Sequence, residues 1–322
     1  MLTFLFCSMG QVSMQSKNRW GFIINPVAGN GYAATLIPSI EQHANRNKID
    51  YEIVQTEYHE HERKLAHDLA VKGYNIIIAV GGDGTINQVV TGLLDNGHDV
   101  MVGVIPAGSG NDIAPMLGFT ARFNEHDWDI LFARNCIHMD VGICNGHYFV
   151  NGLGLGIDAE IAVSKFENAA RKKEKLTSYL KHIIKTIVTF KEKTVTVISG
   201  EEETSGMCLI HTVGNGRRFG GGYYLTPEAI ANDGRFDICA VSQLSLLERL
   251  VLFTRVPKGS HIKSAKVNYY KTDRILLQFN EKQPYHLDGE IYYDNQFTIN
   301  ILPRKLLMIY NPNGNHYFNE EQ

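Results

Sequence analysis

From Trp20 to Ile105, short apolar runs alternate with segments whose apolar residues recur at helical spacing. That alternation is the signature of βαβ units building a parallel sheet. It predicts strands at Trp20–Ile24, Tyr51–Gln55, Asn75–Val80 and Val100–Ile105, with helices over Ala33–Ala44, Glu60–Val71 and Thr85–Leu94. In the second helix Leu65, Ala66, Leu69 and Ala70 share one face. Each strand runs into a glycine-rich or polar loop, and in open α/β sheets ligands bind at these carboxyl ends of strands.

After about Asp140 the texture changes. Segments of β character at Tyr148–Asn151, Thr194–Ser199, Cys208–Val213, Phe236–Val241, Ile275–Phe279 and Phe297–Ile301 are separated by turn signals such as Asn232-Asp233-Gly234 and Asp288-Gly289. A helical stretch from about Asp158 to Phe190 interrupts them. The expected fold class is an α/β N-terminal domain with a mainly parallel, doubly wound sheet, followed by a second β-rich domain, antiparallel and sandwich-like. The expected boundaries are 17–140 for the first domain and 141–302 for the second, with the tail 303–322 able to pack back on the first.

The length of 322 residues suits two such domains, and 44% hydrophobic with 20% charged residues marks a globular chain. With 31 basic against 34 acidic residues, the net charge of −3 argues against a general nucleic-acid binder. Five cysteines, odd in number and without CxxC spacing, suggest neither a disulfide framework nor a zinc site, so a reducing cytoplasm is expected. The opening MLTFLFCSMG has no positively charged lead-in, so a secretory signal is poorly supported; Met9 or Met14 could be the native start, which leaves residues 1–13 open. No apolar run reaches the length of a bilayer span, so any membrane contact must be peripheral. HExxH, GxSxG and the Walker pattern are absent.

Three loops carry the candidate chemistry. Gly81-Gly82-Asp83-Gly84-Thr85 follows an apolar strand and opens a helix, which brings backbone N–H groups and a helix N-terminus to one point, an anion site. An acid within it, Asp83, would repel phosphate unless a cation intervenes, so the loop suggests a Mg²⁺-nucleotide; a tight strand-to-helix turn with a capping Asp or Thr is the plainer alternative. Pro106-Ala107-Gly108-Ser109-Gly110-Asn111-Asp112 sits the same way after the next strand. Asn25-Pro26-Val27-Ala28-Gly29-Asn30-Gly31 follows the first strand and also satisfies G-x-G-x-x-A, which raises a dinucleotide-binding dehydrogenase as a rival. That rival needs an acid closing the second strand, but Asp50 precedes the strand and Glu57 lies past it.

GGDGTINQV at 81–89 with GSGND at 108–112 resembles the diacylglycerol-kinase catalytic family, which includes bacterial lipid kinases and sphingosine and ceramide kinases. The likeness runs through Asn25-Pro26-Val27-Ala28-Gly29, Gly214-Asn215-Gly216 with Gly220-Gly221-Gly222, Thr226-Pro227-Glu228-Ala229 with Asp233-Gly234, and Asp288-Gly289-Glu290, covering about 20–305. The resemblance implies that Gly81, Gly82, Asp83, Gly84, Thr85, Ile86 and Asn87, with Thr56, Ser109, Gly110 and Asn111, contact ATP, and that Asn25 and Gly29 lie nearby. It implies an acidic network of Asp83, Asp112 and Asp140 for the nucleotide's Mg²⁺, and Glu290 as general base. It also implies an accessory Mg²⁺ site made by Asp233 and the main-chain carbonyls of Ile230 and Arg235. Asn30 departs from the pattern, since many relatives carry Lys there.

The activity so implied is an ATP- and Mg²⁺-dependent lipid kinase, with a diacylglycerol-type lipid as substrate. A sphingoid-base or NAD kinase of the same broad fold, and a nucleotide-binding regulator without turnover, remain the alternatives. Arg171–Val188 is amphipathic, and residues 165–193 carry nine Lys/Arg against three Glu. Such a helix could lie on an anionic membrane surface, or simply cover the core with a solvated cationic face. Arg217 and Arg218 are candidates for a phosphate or lipid head group, His59-Glu60-His61 reads as solvated, and a homodimer stays open.

Overall fold

The first strand, β1 (Arg19–Ile24), is buried from Trp20 onward, as a strand covered on both faces must be. The computed structural model describes residues 18–169, 176–200 and 202–319. After β1 come α1 (Tyr32–Thr35), α2 (Ile37–Arg46), β2 (Asp50–Gln55), α3 (His61–Val71), β3 (Ile76–Gly81), α4 (Asp83–Asp95), β4 (Met101–Pro106), α5 (Ile113–Met116) and α6 (Glu125–Ala133). The four strands pair in parallel in the order β4-β3-β1-β2. The helix expected over Ala33–Ala44 is broken at Leu36, because Pro38 is tolerated only in a first turn and the chain restarts there.

The second half contains β5 (Cys136–Cys144), β6 (His147–Phe149), β7 (Gly152–Gly156), α7 (Ile157–Ala169), α8 (Leu176–Thr189), β8 (Lys193–Ser199), β9 (Glu202–Cys208), β10 (Ile210–Gly214), β11 (Phe236–Val241), α9 (Leu246–Phe253), β12 (Val267–Thr272), β13 (Arg274–Leu287) and β14 (Glu290–Ile309). Every pairing among these strands is antiparallel. The strand expected at Cys208–Val213 is split at Leu209, whose N–H donates to Val241 while its carbonyl accepts from Ile157, so β9 and β10 pair with different neighbours. The stretch expected as helical over 158–190 is two helices, and residues 170–175 between them lie outside the described part.

β14 joins the halves. It pairs with β13 and β5, and its end runs parallel to β4 through Leu307↔Met101 and Met308↔Val102. Beyond it, Asn311 N–H donates to Leu117, and Tyr317 is bonded to both Met116 and Ala231. One apolar cluster, which includes Phe22, Ile78, Val104 and Met308, fills the parallel region. A second, with Phe149, Phe236, Leu277 and Phe297, fills the antiparallel region.

Candidate active site

Strand order reverses between β1 and β3, and at such a switch point the loops beyond the carboxyl ends leave a crevice. Backbone bonds fix the loops there: Asn25 N–H donates to Val80 O (3.0 Å), Thr56 N–H to Ile24 O (2.9 Å) and Ala107 N–H to Gly81 O (2.7 Å). The two glycine loops touch backbone to backbone. A Cβ on Gly108 would stand 2.3 Å from Gly82 Cα, so only glycine lets the loops approach this closely. The crevice holds about 600 Å³ and is lined by Asn25, Gly29, Asn30, Thr56, Gly82, Gly84, Thr85, Ser109 and Glu290.

Four of the expected nucleotide contacts have other duties. Gly81 packs against the Thr85 side chain, where a Cβ would lie 2.4 Å from Oγ1. Ile86 is buried in the core. Asn87 donates to Tyr148 O (3.0 Å) and to Asp288 Oδ2 (2.9 Å), tying α4 to the antiparallel region. Asn111 accepts from Gly108 N–H (2.9 Å) and donates to Gly108 O and Ala121 O, which staples its own loop. Gly110 lines a second, smaller cleft beside the crevice.

That second cleft, about 270 Å³, is lined by Asp83, Asp112, Asp158, His286 and Asp288. Asp83 is half-buried and accepts from the N–H groups of Asp112 and Ile113, both at 3.0 Å. Burial first, and the negative charge of Asp112 second, raise its carboxyl above the usual carboxylate range. Asp112 accepts from Gly221 N–H (2.8 Å), and Arg218 Nε stands 3.8 Å from its other oxygen. Two crowded carboxylates facing a cleft are a donor set that a Mg²⁺ held by a nucleotide suits, because the ion removes their repulsion.

The Asp288-Gly289 pair makes a two-residue hairpin turn between β13 and β14, with φ of 51° and 96°. Asp-Gly favours this type I′ geometry because both central residues need positive φ. The turn plants the Asp288 carboxylate on Val150 N–H (2.6 Å), Asn151 N–H (2.9 Å), Gly152 N–H (2.8 Å) and Asn87 Nδ2. Burial raises its carboxyl nonetheless. Glu290, next in sequence, then faces the Gly82-Asp83-Gly84 loop: a Cβ on Gly84 would lie 3.2 Å from Glu290 Oε1. His59 Nε2 stands 3.8 Å from Glu290 Oε2.

Asp140 lines neither cleft. It is buried in β5, where it accepts from Gly234 N–H and Arg304 N–H, both at 2.7 Å, and so pins the Asp233-Gly234 turn to β14. At that turn, Asp233 Oδ1 accepts from Arg235 N–H (3.0 Å) and Oδ2 accepts from Lys271 Nζ (2.7 Å). Both Asp233 oxygens thus accept hydrogen bonds, one of them from an ammonium, at the place where the resemblance implies an accessory Mg²⁺ with the carbonyls of Ile230 and Arg235. Among the described residues no group of three or more His, Cys, Asp or Glu side chains is arranged to hold a metal.

Several residues of the site carry no signal in the sequence. Asp158, His286 and Glu62 are ordinary surface types there; in the structure His286 Nε2 and Asp158 Oδ2 are 3.1 Å apart, and Glu62, buried beside the crevice, receives Asn25 Nδ2 at 3.3 Å. Asp288 could have been found, since Asp-Gly between two β segments predicts the turn that aims it. Arg217 is tied to Ala229 O and stacks on Tyr317, so of the two candidate arginines only Arg218 faces the acids.

An apolar pocket opens beside the acid cleft and shares Asp158, Ile161, Phe219 and Gly220 with it. Ile183 and Ile187 of α8 and Leu252 and Phe253 of α9 complete its walls.

Residues 19–144 match the diacylglycerol kinase catalytic domain, and residues 138–310 match the YegS C-terminal NAD kinase beta sandwich-like domain. The chain is 31% identical to a diacylglycerol kinase of Bacillus subtilis over 231 residues, 70% of this chain and 74% of the relative. It is 25% identical to a diacylglycerol kinase of Staphylococcus carnosus over 304 residues, covering 92% and 96% of the two chains. A crystal structure of a diacylglycerol kinase from Bacillus anthracis shares the fold, with a TM-score of 0.71 at 21% identity over 92% of this chain and 97% of that one. Two consecutive domain matches spanning the crevice, the acids and the Asp-Gly-Glu turn place this chain in the diacylglycerol kinase catalytic-domain family, as a kinase.

Proposed function

We propose that this kinase transfers the γ-phosphate of ATP to the hydroxyl of a diacylglycerol-type lipid. The observation that carries the reading is the adjacency of three spaces: a polar crevice under glycine loops, an acid cleft lined by Asp83, Gly110 and Gly289, which stand next in sequence to crevice residues on the same loops, and an apolar pocket that shares a wall with that cleft. Phosphoryl transfer needs in-line positioning and neutralised charge more than covalent help from the protein. The N–H groups around Gly82 and Gly84 at the N-terminus of α4, and around Ser109 in the loop after β4, supply dipoles for the phosphates. Asp83 and Asp112 would hold the Mg²⁺ of the nucleotide, which spreads the charge of the transferred group.

Glu290 then takes the proton of the lipid hydroxyl. The alcohol oxygen bonds to the γ-phosphorus as the bond to the bridging oxygen breaks, leaving ADP. Glu290 suits this role because it lines the crevice beside Gly84 and follows Asp288 and Gly289, which line the acid cleft. The apolar pocket favours a lipid over NAD as acceptor, since no second nucleotide would gain from a wall of Ile and Phe side chains.

A lipid must leave its bilayer to reach that pocket. The outer faces of the two helices that wall it expose Ile184 and Val188 on α8 and Leu246, Leu247 and Val251 on α9, with Lys185, Arg255 and Lys258 exposed nearby. This apolar patch with a basic rim suits peripheral docking on an anionic membrane. The expected basic amphipathic helix over 171–188 contributes α8 to it; residues 171–175 lie outside the described part.

Transfer of radiolabel from γ-labelled ATP into a total lipid extract, with NAD as competing acceptor, tests the reading. Label in lipid is expected, and a Glu290→Gln variant should lose at least about 100-fold in kcat, the usual contribution of a positioned base, while keeping its melting temperature. Label in NAD alone, or full activity in Glu290→Gln, would refute it.

A further inference from the structure

We propose that Lys271 does in this chain what a bound divalent cation would do at the Asp233 turn, so that the antiparallel region is charge-complete without an accessory metal. The register makes the arrangement a property of the backbone. Lys271 on β12 is the direct cross-strand partner of Asp237 on β11, and Tyr269 pairs with Cys239 two positions along, so Lys271 and Tyr269 both project toward Asp237. Tyr269 donates its hydroxyl to Asp237 Oδ1 at 2.7 Å. Lys271 Nζ lies 3.3 Å from Asp237 Oδ2 and 2.7 Å from Asp233 Oδ2.

Asp237 is fully buried, and a buried carboxylate without a counter-charge is strongly destabilising. Asp233 and Asp140 stand close enough to feel each other's charge. Burial raises the Asp237 carboxyl, and the Tyr269 hydroxyl and the Lys271 ammonium act against that rise; Lys271 supplies the cation through a covalent tether. Burial alone would pull its ammonium down, but the bond to Asp233 and the charge of Asp237 more than offset that, and it stays above its ordinary range. A divalent ion on Asp233 would have to displace this ammonium or sit against it, with like charges in contact.

The consequence reaches the site through Asp140. Its carboxylate holds Gly234 of this turn and Arg304 of β14, the strand that begins at Glu290. The alignment of that strand thus rests on a turn locked by a lysine, and metal dependence is confined to the ion that arrives with the nucleotide. This inference extends the proposed function but does not need its lipid substrate.

Binding of Mn²⁺ to the nucleotide-free protein, followed by electron paramagnetic resonance, separates the two. Wild type and Asp233→Asn should bind Mn²⁺ alike, within about twofold, because Asp233 is not a ligand. A Mn²⁺ bound by wild type and lost in Asp233→Asn would overturn the proposal, whatever the enzyme phosphorylates. Lys271→Gln should melt about 5–10 °C lower, as expected when one partner of a buried pair is removed. Mn²⁺ should recover part of that loss in Lys271→Gln but none in the Lys271→Gln/Asp233→Asn double variant. If Lys271→Gln fails to fold, the comparison of wild type with Asp233→Asn still decides.

Discussion

Replacing Asp288 by Asn tests whether the hairpin turn that presents Glu290 is held by one half-buried carboxylate. Four donors converge on it: the N–H groups of Val150, Asn151 and Gly152, and the Asn87 amide. Asn offers one acceptor oxygen in place of two, and its NH₂ would face two of these donors head-on. Hydrogen bonds to a charged group contribute about 1.5–3 kcal/mol each, so losing two predicts a cost of about 3–6 kcal/mol. Relief of the desolvation that raises the Asp288 carboxyl works in the opposite direction, so the lower half of that range is expected. Against a total stability of about 5–15 kcal/mol for a typical domain, such a change is large. Urea unfolding of wild type, Asp288→Asn and Asn87→Leu, with the double variant to close the cycle, measures it. The double variant should cost less than the sum of the singles, because the two side chains share a bond. A loss below about 1 kcal/mol in Asp288→Asn, outside the range for two lost charged bonds, would refute the reasoning.

Gly108→Ala forces a Cβ to within 2.3 Å of the Gly82 backbone, so it should part the two phosphate loops and weaken ATP binding by more than about tenfold, as calorimetry would show; unchanged affinity would mean that the loops do not form the site. His211 is buried in β10, and burial holds its imidazole down at about 4, below the ordinary 6.5. Stability from its neutral form is fully present above about pH 6.5 and is lost as pH falls toward 4, by about 3 kcal/mol in all, so His211→Gln should flatten the acid limb of a stability–pH curve. Equal slopes for both proteins would reject it. Leu247→Asp/Val251→Asp should reduce partition onto anionic vesicles more than about tenfold in a sedimentation assay, since two exposed aliphatic side chains are lost from the membrane contact; full binding would move the membrane face elsewhere.

Where local pattern and tertiary demand coincide, the sequence was legible. In the parallel region each strand lies within one residue of its expected limits, because strands buried on both faces are written as runs such as Ile76-Ile77-Ile78-Ala79-Val80. The hairpin before Glu290 followed from Asp288-Gly289. Other elements went unread. β7 is Gly152-Leu153-Gly154-Leu155-Gly156, a composition with weak strand preference; Phe219 packs against Gly152, Asp158 and His286 crowd Gly154, and Gly156 takes a φ of 77°. α9 carried a readable signal, the capping box of Ser245 and Glu248. β13 and β14 run far past Ile275–Phe279 and Phe297–Ile301 because their polar segments are held by cross-strand bonding, which leaves no apolar alternation.

The chemistry divides in the same way. Spacing within the chain was enough to announce glycine loops at strand ends and acids beside them, since a loop that must hug phosphate needs residues without Cβ, and that need is local. Which acid faces which cleft was decided only by folding. Asp83 and Asp112 meet through a loop-to-loop contact, Asp140 turns away to clamp a turn against β14, and Lys271 reaches Asp233 across a strand pair. These meetings depend on register and on strands distant in sequence. No window of residues encodes them, because the energy of a buried charge is set by whatever the rest of the chain brings within a few ångströms of it.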